Sequence, residues 1–83
     1  MSDPVDGNAI GGLLLDAFGA EMTTAAATCA SCGATSAVAA LVVYVRAPGT
    51  VARCRSCGAA VMVLVTVRGV TCVDLSGLAS LEP

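Results

Sequence analysis

Two short stretches of the sequence carry cysteine pairs of the same form. TCASCG, residues 28–33, and RCRSCG, residues 53–58, each place two cysteines two residues apart and follow them with a glycine. Two residues between ligands let a tight turn aim both sulfurs at one point, and glycine permits the positive φ that closes such a turn. Because structural zinc takes four ligands at the corners of a tetrahedron, the two turns together predict one metal ion held by four thiolates.

The composition restricts which side chains can be the ligands. The chain has five cysteines and no histidine, so the paired cysteines are the complete candidate set: Cys29, Cys32, Cys54 and Cys57. We expect one structural zinc ion there. Iron in the same four thiolates is the alternative metal, and two disulfides or four free buried thiols are the alternatives without metal. Cys72 lies in VTCVD on a predicted strand, where we expect it to pack in the core as a small hydrophobe.

The length of the chain favours a stabilising metal. A domain of 83 residues buries a smaller share of its surface than a large one, and often needs a metal, disulfides or a partner. The start, MSDPVDGN, lacks the basic and apolar regions of a secretory signal, which predicts a reducing cytoplasm. The longest apolar run, Ala37 to Val45, is about half of the roughly 20 residues that a membrane-spanning helix needs.

Charge and side-chain types argue against two classes of function. The formal net charge of -2 disfavours binding to phosphate backbones, which requires a basic face. None of the six carboxylates is paired for acid–base chemistry, and glycine-rich phosphate loops are absent, so we expect no enzyme activity. Arg53 and Arg55 flank the second cysteine pair, either as solvated charges or as cations that offset a negative zinc–thiolate cluster.

An amphipathic helix is predicted over residues 6–19. Ile10, Leu13, Leu14, Ala17 and Phe18 repeat with helical spacing, while Asp6 or Asn8 can cap the start and Gly19 the end. Residues 20–28 are predicted to form a connector that ends in a short strand leading into Cys29.

Two β-hairpins are predicted after the first cysteine pair. The first joins Val38–Arg46 to Val51–Arg53 through a type II turn at residues 47–50, and leads into the second cysteine pair. The second joins Val61–Val67 to Val70–Leu75 through Arg68 and Gly69. Because both faces of Val61–Val67 are largely apolar, we expect the helix to cover one face and the other face to pack within the domain or on a partner.

These motifs resemble the zinc-ribbon class, in which two cysteine turns at hairpin ends clamp one zinc ion. More narrowly, DGNAIGG, TCASCG, VYVRAPGTVARCRSCG and VDLSG resemble a family of small bacterial proteins of unknown function, over almost the whole chain. That resemblance implies metal ligands at the four paired cysteines, no catalytic residues, and an oxidoreductase as a candidate partner. Proline is common after the third ligand in that pattern, whereas this chain has Arg55.

The expected fold is therefore a small α+β, mainly β protein, with zinc-ribbon antiparallel hairpins and one N-terminal helix. We expect a single domain over residues 1–83, with the zinc ribbon over 29–83. The function favoured by the sequence is a non-enzymatic accessory or adaptor module that docks on a protein partner or a second copy of itself. The alternatives are a nucleic-acid-binding zinc ribbon and a rubredoxin-like iron redox protein, the latter disfavoured by the single Tyr, single Phe and absence of Trp.

Overall fold

The computed structural model describes residues 5–46 and 49–82, which form two antiparallel sheets and a short N-terminal helix. The expected mainly β architecture with one N-terminal helical segment is confirmed. The helix α1 spans Gly11–Phe18 and continues from a 3-10 turn at Gly7–Ile10. The strands are β1 Val5–Asp6, β2 Ala26–Cys29, β3 Thr35–Ala37, β4 Val42–Arg46, β5 Gly49–Arg53, β6 Ala60–Val67, β7 Val70–Asp74 and β8 Leu78–Glu82.

The strands divide between a five-stranded sheet and a three-stranded sheet. The larger sheet has the order β1-β4-β5-β6-β7, and the smaller has the order β3-β2-β8. The sequence predicted four or five strands and missed β1, β3 and β8. Two of these are only two and three residues long, and β8 has the weakly β-forming sequence LASLE. The pairing of β8 with β2 joins the end of the described chain to the strand that carries Cys29.

The predicted caps of the N-terminal helix are confirmed. The backbone N–H of Asn8 donates to the Asp6 carboxylate over 3.0 Å at the start of the 3-10 turn. At the other end Gly19 has a φ of 71° and its N–H donates to the Leu15 carbonyl. Ile10 and Leu14 are buried, but Phe18 is 41% exposed, contrary to the apolar stripe predicted for it. The regular helix has eight residues, so its docked face is shorter than the sequence pattern suggested.

The strand predicted over Val38–Arg46 begins four residues later than expected. Val38–Ala40 form a second 3-10 turn, whose Val38 N–H donates to the Ala25 carbonyl. The Ala39 N–H likewise donates to the Thr23 carbonyl. These bonds tie the segment to the connector rather than to a neighbouring strand, so β-forming side chains there do not form β structure.

The second hairpin has the predicted form. Arg68 and Gly69 have φ values of 53° and 78°, which is the conformation of a two-residue type I′ turn. The predicted strand leading into Cys29 is also present as β2. The type II turn predicted through Ala47 and Pro48 lies outside the described residues.

The two faces of β6 have different environments, and a bulge alters which residues belong to each. Between Ala52 and Arg53 the register of β5 with β6 shifts, leaving Val61 as the extra residue on β6. Val61 is therefore buried together with its neighbour Met62, although an ideal strand would turn one of them outward. Beyond the bulge Leu64 is buried, whereas Val63 and Val65 are only partly buried. One face of β6 is therefore buried in the core, whereas the helix that was expected to cover it packs mainly against β7 and the first 3-10 turn.

Candidate metal centre

Each cysteine pair occupies a turn with the same backbone hydrogen bonds. In the first turn the Gly33 N–H donates to the Cys29 carbonyl over 2.9 Å, and the Cys29 N–H donates to the Ala34 carbonyl over 2.9 Å. Gly33 has a φ of 76°, which a residue with a side chain rarely adopts. The glycine after the pair therefore closes the turn, as the sequence predicted.

The second turn repeats this geometry at the end of β5. The Gly58 N–H donates to the Cys54 carbonyl over 2.9 Å, the Cys54 N–H donates to the Ala59 carbonyl over 2.8 Å, and Gly58 has a φ of 77°. The repeated sequence thus builds two equivalent turns. Although proline is absent after Cys54, the turn with Arg55 has the same bonds as the first one.

The fold brings the four cysteine sulfurs of the two turns together. All four Sγ atoms lie within 4.8 Å of one another. The Sγ atoms of Cys29 and Cys57 are 3.7 Å apart, and those of Cys32 and Cys54 are 3.6 Å apart. A Zn–S bond of about 2.3 Å in a tetrahedron gives S···S separations of about 3.8 Å, so the cluster has the size of a four-thiolate zinc site.

These separations are inconsistent with the disulfide alternative. A disulfide requires sulfurs about 2.05 Å apart, whereas the two closest contacts across the cluster are 3.6 and 3.7 Å. All five cysteines are free thiols. The donor set of four sulfurs also fits zinc or iron and not a hard cation such as Mg²⁺, which prefers oxygen ligands.

Within each pair the first sulfur is buried and receives backbone N–H groups. For Cys54 the N–H groups of Cys57 and Ser56 lower the pKa of the thiol to about 6, against the opposing effect of desolvation. The N–H of Ser56 lies 3.4 Å from the sulfur. At Cys29 the N–H of Cys32 is the largest influence and lowers the thiol pKa in the same way. These turns therefore stabilise thiolate charge in the form that metals bind.

Cys32 behaves differently because the other sulfurs crowd it. The Ala34 N–H lowers the pKa of its thiol, but the neighbouring thiols, led by Cys54, and desolvation together raise the pKa to about 11. Four thiols this close cannot all be ionised without a compensating positive charge. A divalent cation held among the four sulfurs would supply that charge.

Two arginine side chains form hydrogen bonds to the backbone around the second turn, and the sequence did not predict these bonds. The Arg53 guanidinium donates to the Gly58 carbonyl over 2.9 Å, and lies 6.0 Å from the centroid of the Tyr44 ring. The Arg55 Nε donates over 2.9 Å to the carbonyl of Ala40 in the second 3-10 turn. Both arginines are thus hydrogen-bonded to the backbone, and no single-sequence signal identifies their acceptors.

The first turn is connected to the smaller sheet by backbone hydrogen bonds. The Ala30 N–H donates to the Gly77 carbonyl over 3.0 Å, and β8, which follows Gly77, pairs with β2. Gly77 itself packs against the backbone of Ala60 and Val61 on β6. The connection between β7 and β8 therefore joins the elements that carry the two cysteine turns.

Cys72 does not belong to the cluster and is not in the core. The structure places it on β7 with an exposed side chain. The expectation that it packs in the core is wrong, because its side of β7 continues the open face of the larger sheet through the cross-strand partner Val65.

The whole chain, residues 1–83, matches the model of one protein family, described as "Family of unknown function (DUF6510)". The chain belongs to this family. Comparisons with curated proteins and with solved structures gave no match. Among the residues that the structure describes, no helix is long and apolar enough to cross a bilayer.

Proposed function

We propose that this protein is a non-enzymatic accessory module that is stabilised by one zinc ion and acts by docking on a protein. The observation that carries the metal assignment is the approach of four Sγ atoms to within 4.8 Å of one another. Two turns supply these sulfurs from separate parts of the chain, so a bound ion cross-links β2 to the end of β5. In small metal domains such a cross-link contributes folding free energy directly.

The surroundings of the cluster favour a structural role for the ion. A catalytic zinc site keeps one position open for water or substrate, whereas this site offers four protein sulfurs for four positions. A depression elsewhere, between α1 and the β6–β7 turn, is lined by one ionisable side chain, that of Asp16. One carboxylate without a second titratable group offers no acid–base pair. These features support a module without catalytic activity.

A protein is the partner class that the charges favour. The chain carries four basic and six acidic residues, and Arg53 and Arg55 use their guanidinium groups on backbone carbonyls. Few cations are then left for phosphate contacts, which dominate nucleic-acid affinity. The same proposal includes an oxidoreductase as the candidate partner, which the resemblance implies, and a reducing cytoplasm, which the N-terminal sequence predicts.

The metal is tested by purifying the protein from cells grown with both zinc and iron. We expect native mass spectrometry to show one zinc ion per chain and the visible spectrum to be featureless. A coloured protein with one iron would support the rubredoxin-like alternative instead.

The partner class is tested by titrating the zinc-loaded protein with duplex DNA and with single-stranded RNA at physiological salt, where we expect no binding. Tight binding that weakens steeply with salt would overturn the choice of partner class.

A further inference from the structure

Two of the four cysteines in the cluster are exposed to solvent. Cys32 and Cys57 are the exposed ones, whereas Cys29 and Cys54 are buried at the edge of the core. Each turn therefore contributes one cysteine that small reagents in solution reach and one that the core shields. Cysteines that respond to oxidants combine an accessible sulfur with a second thiol close enough to form a disulfide. The cluster has both features.

The sulfur contacts join the exposed cysteine of one turn to the buried cysteine of the other. The Sγ atom of Cys32 lies 3.6 Å from that of Cys54, and the Sγ atom of Cys57 lies 3.7 Å from that of Cys29. A disulfide requires sulfurs about 2.05 Å apart, so the two sulfurs of each pair have to approach by about 1.5 Å. Each exposed cysteine thus has a shielded thiol of the opposite turn beside it.

We propose that the cluster is also a site of reversible oxidation by hydroperoxides, at which the four thiolates form two disulfides between the turns and release the metal ion. The disulfides join Cys32 to Cys54 and Cys57 to Cys29. This inference rests on the proposed function, because the same four sulfurs hold the ion. In the oxidised protein the disulfides connect β2 to the end of β5 in place of the ion.

Each disulfide forms in two steps with hydrogen peroxide as the oxidant. In the first step the Cys32 thiolate attacks one peroxide oxygen, so an S–O bond forms, the O–O bond breaks and hydroxide leaves. In the second step the Cys54 thiolate attacks the sulfur of this sulfenic acid, so an S–S bond forms, the S–O bond breaks and a second hydroxide leaves. The two sulfurs together lose two electrons, which the peroxide gains. Cys57 and Cys29 react in the same way with a second molecule of peroxide.

Loop lengths favour disulfides between the turns over disulfides within them. A disulfide within a turn spans two intervening residues and leaves the two turns unconnected. The pairs between the turns are 22 and 28 residues apart in the sequence, and a disulfide restrains the unfolded chain more as the closed loop lengthens. We therefore expect the oxidised, zinc-free protein to stay folded, unlike the reduced, zinc-free protein.

The test is a titration of the zinc-loaded Cys72→Ser chain with hydrogen peroxide at neutral pH. This substitution removes the exposed thiol outside the cluster, which can link two chains. We expect two molecules of peroxide to release one zinc ion and to remove all four thiols, as measured with a chromophoric zinc indicator and a thiol reagent. The far-ultraviolet circular dichroism should keep its β signature after oxidation. A thiol reductant together with zinc should restore the four thiols and the bound ion.

Tryptic peptides of the oxidised protein identify the disulfides. Trypsin cuts after arginine, so the first cysteine pair stays in one peptide, residues 1–46, whereas the second pair is split between residues 54–55 and 56–68. Disulfides between the turns join all three peptides. Disulfides within the turns leave the first peptide by itself and join the other two. Fragmentation within the first turn then shows whether Cys32 is linked to Cys54, as expected.

The original chain provides the reference for reactivity, because Cys72 is an exposed thiol outside the cluster. A metal-bound sulfur is deprotonated, and the thiolate is the form that attacks peroxide, so the cluster thiols should be lost before Cys72. Disulfides within the turns, or a cluster that keeps its ion and its four thiols while Cys72 is fully oxidised, would overturn the inference. Because the protein in both cases still binds one zinc ion before oxidation, the proposed metal-stabilised module would stand. A chain that binds no metal ion at all would instead overturn the proposed function.

Discussion

At the scale of single residues, the first and second cysteines of each pair have different surroundings. Cys29 and Cys54 are buried with 3% and 6% exposure, whereas Cys32 and Cys57 are exposed. The first sulfur of each turn therefore lies at the edge of the core, where it receives backbone N–H groups. We expect removal of a buried ligand to affect folding as well as metal binding.

Cys54→Ser tests this expectation. A serine hydroxyl is a poor ligand for zinc, and the three remaining thiolates leave the tetrahedron incomplete. We expect zinc stoichiometry to fall well below one ion per chain, and much of the β structure to be lost at room temperature, because site formation and folding are coupled. Native mass spectrometry and far-ultraviolet circular dichroism measure the two effects.

The matched control is Cys72→Ser, which changes the same atom outside the cluster. Because Cys72 is exposed on β7, its replacement should leave the zinc stoichiometry at one and change stability only slightly. Loss of zinc in this variant, or an unchanged zinc content in Cys54→Ser, would show that the ligand set is wrong.

At the scale of elements, two glycines permit close backbone contacts that fix how segments pack. A Cβ on Gly7 would lie 1.7 Å from the Val38 carbonyl oxygen, where the two 3-10 turns meet. A Cβ on Gly77 would lie 2.2 Å from the Ala60 carbonyl oxygen on β6. In both cases the obstructing atom belongs to backbone, which cannot rotate away as a flexible side chain can.

Gly77→Ala should therefore destabilise the protein and weaken metal binding together. The added methyl group forces the β7–β8 connection away from β6, an overpacking effect of about 1–3 kcal/mol. The Gly77 carbonyl also accepts the Ala30 N–H of the first cysteine turn, so its displacement disturbs that turn. Urea unfolding of the zinc-loaded protein gives the free energy, and competition with a chromophoric chelator gives the zinc affinity. A variant with unchanged zinc affinity would contradict the link between this connection and the metal site.

Gly12→Ala should have the opposite effect on stability. Gly12 lies in α1, and a Cβ there would meet no atom within 4 Å. Alanine in a helix interior is favoured over glycine by about 0.8–1 kcal/mol, because glycine loses more backbone entropy on folding. We expect a higher unfolding midpoint in urea and an unchanged zinc affinity. A lower midpoint would mean that α1 requires the glycine for a contact not evident from its surroundings.

At the scale of the whole molecule, the four-cysteine cluster and the hydrophobic core are parts of one structure. Cys29 and Cys54 belong to the same hydrophobic cluster as Leu14, Val43 and Met62. The cluster combines residues from α1, from both sheets and from both cysteine turns. A disturbance at the sulfurs should therefore spread through the molecule.

Removal of the metal with a strong chelator should abolish the cooperative thermal transition, and zinc should restore it. Lowering the pH should act in the same direction, because a bound cysteine must be a thiolate and protons compete with the ion for the sulfur. Stability is thus expected to decrease as pH falls. Differential scanning calorimetry of the loaded, stripped and reloaded protein measures the effect of the metal, and scans of the loaded protein at falling pH measure the effect of protons. A stripped protein that melts as the loaded one does would show that the metal contributes no folding free energy.

The sequence by itself determined the features that depend on neighbouring residues. The spacing of each cysteine pair and its glycine predicted the two turns, since a turn of this kind is closed by hydrogen bonds within six residues. Asp6 and Gly19 predicted the ends of the helical segment for the same reason. Gly69 predicted a two-residue hairpin turn after Arg68, because glycine tolerates the positive φ that such a turn requires.

Only the tertiary structure decided the features that depend on distant partners. The bulge at Val61 arises from the pairing of β5 with β6, and it moves Val61 to the core side. Val38–Ala40 form a 3-10 turn because the carbonyls of the connector accept their N–H groups. The exposure of Cys72 follows from the side of β7 that the core leaves open, which the apolar sequence of the strand does not specify. In each case the deciding contact joins residues far apart in the chain, and local preference is too weak to predict it.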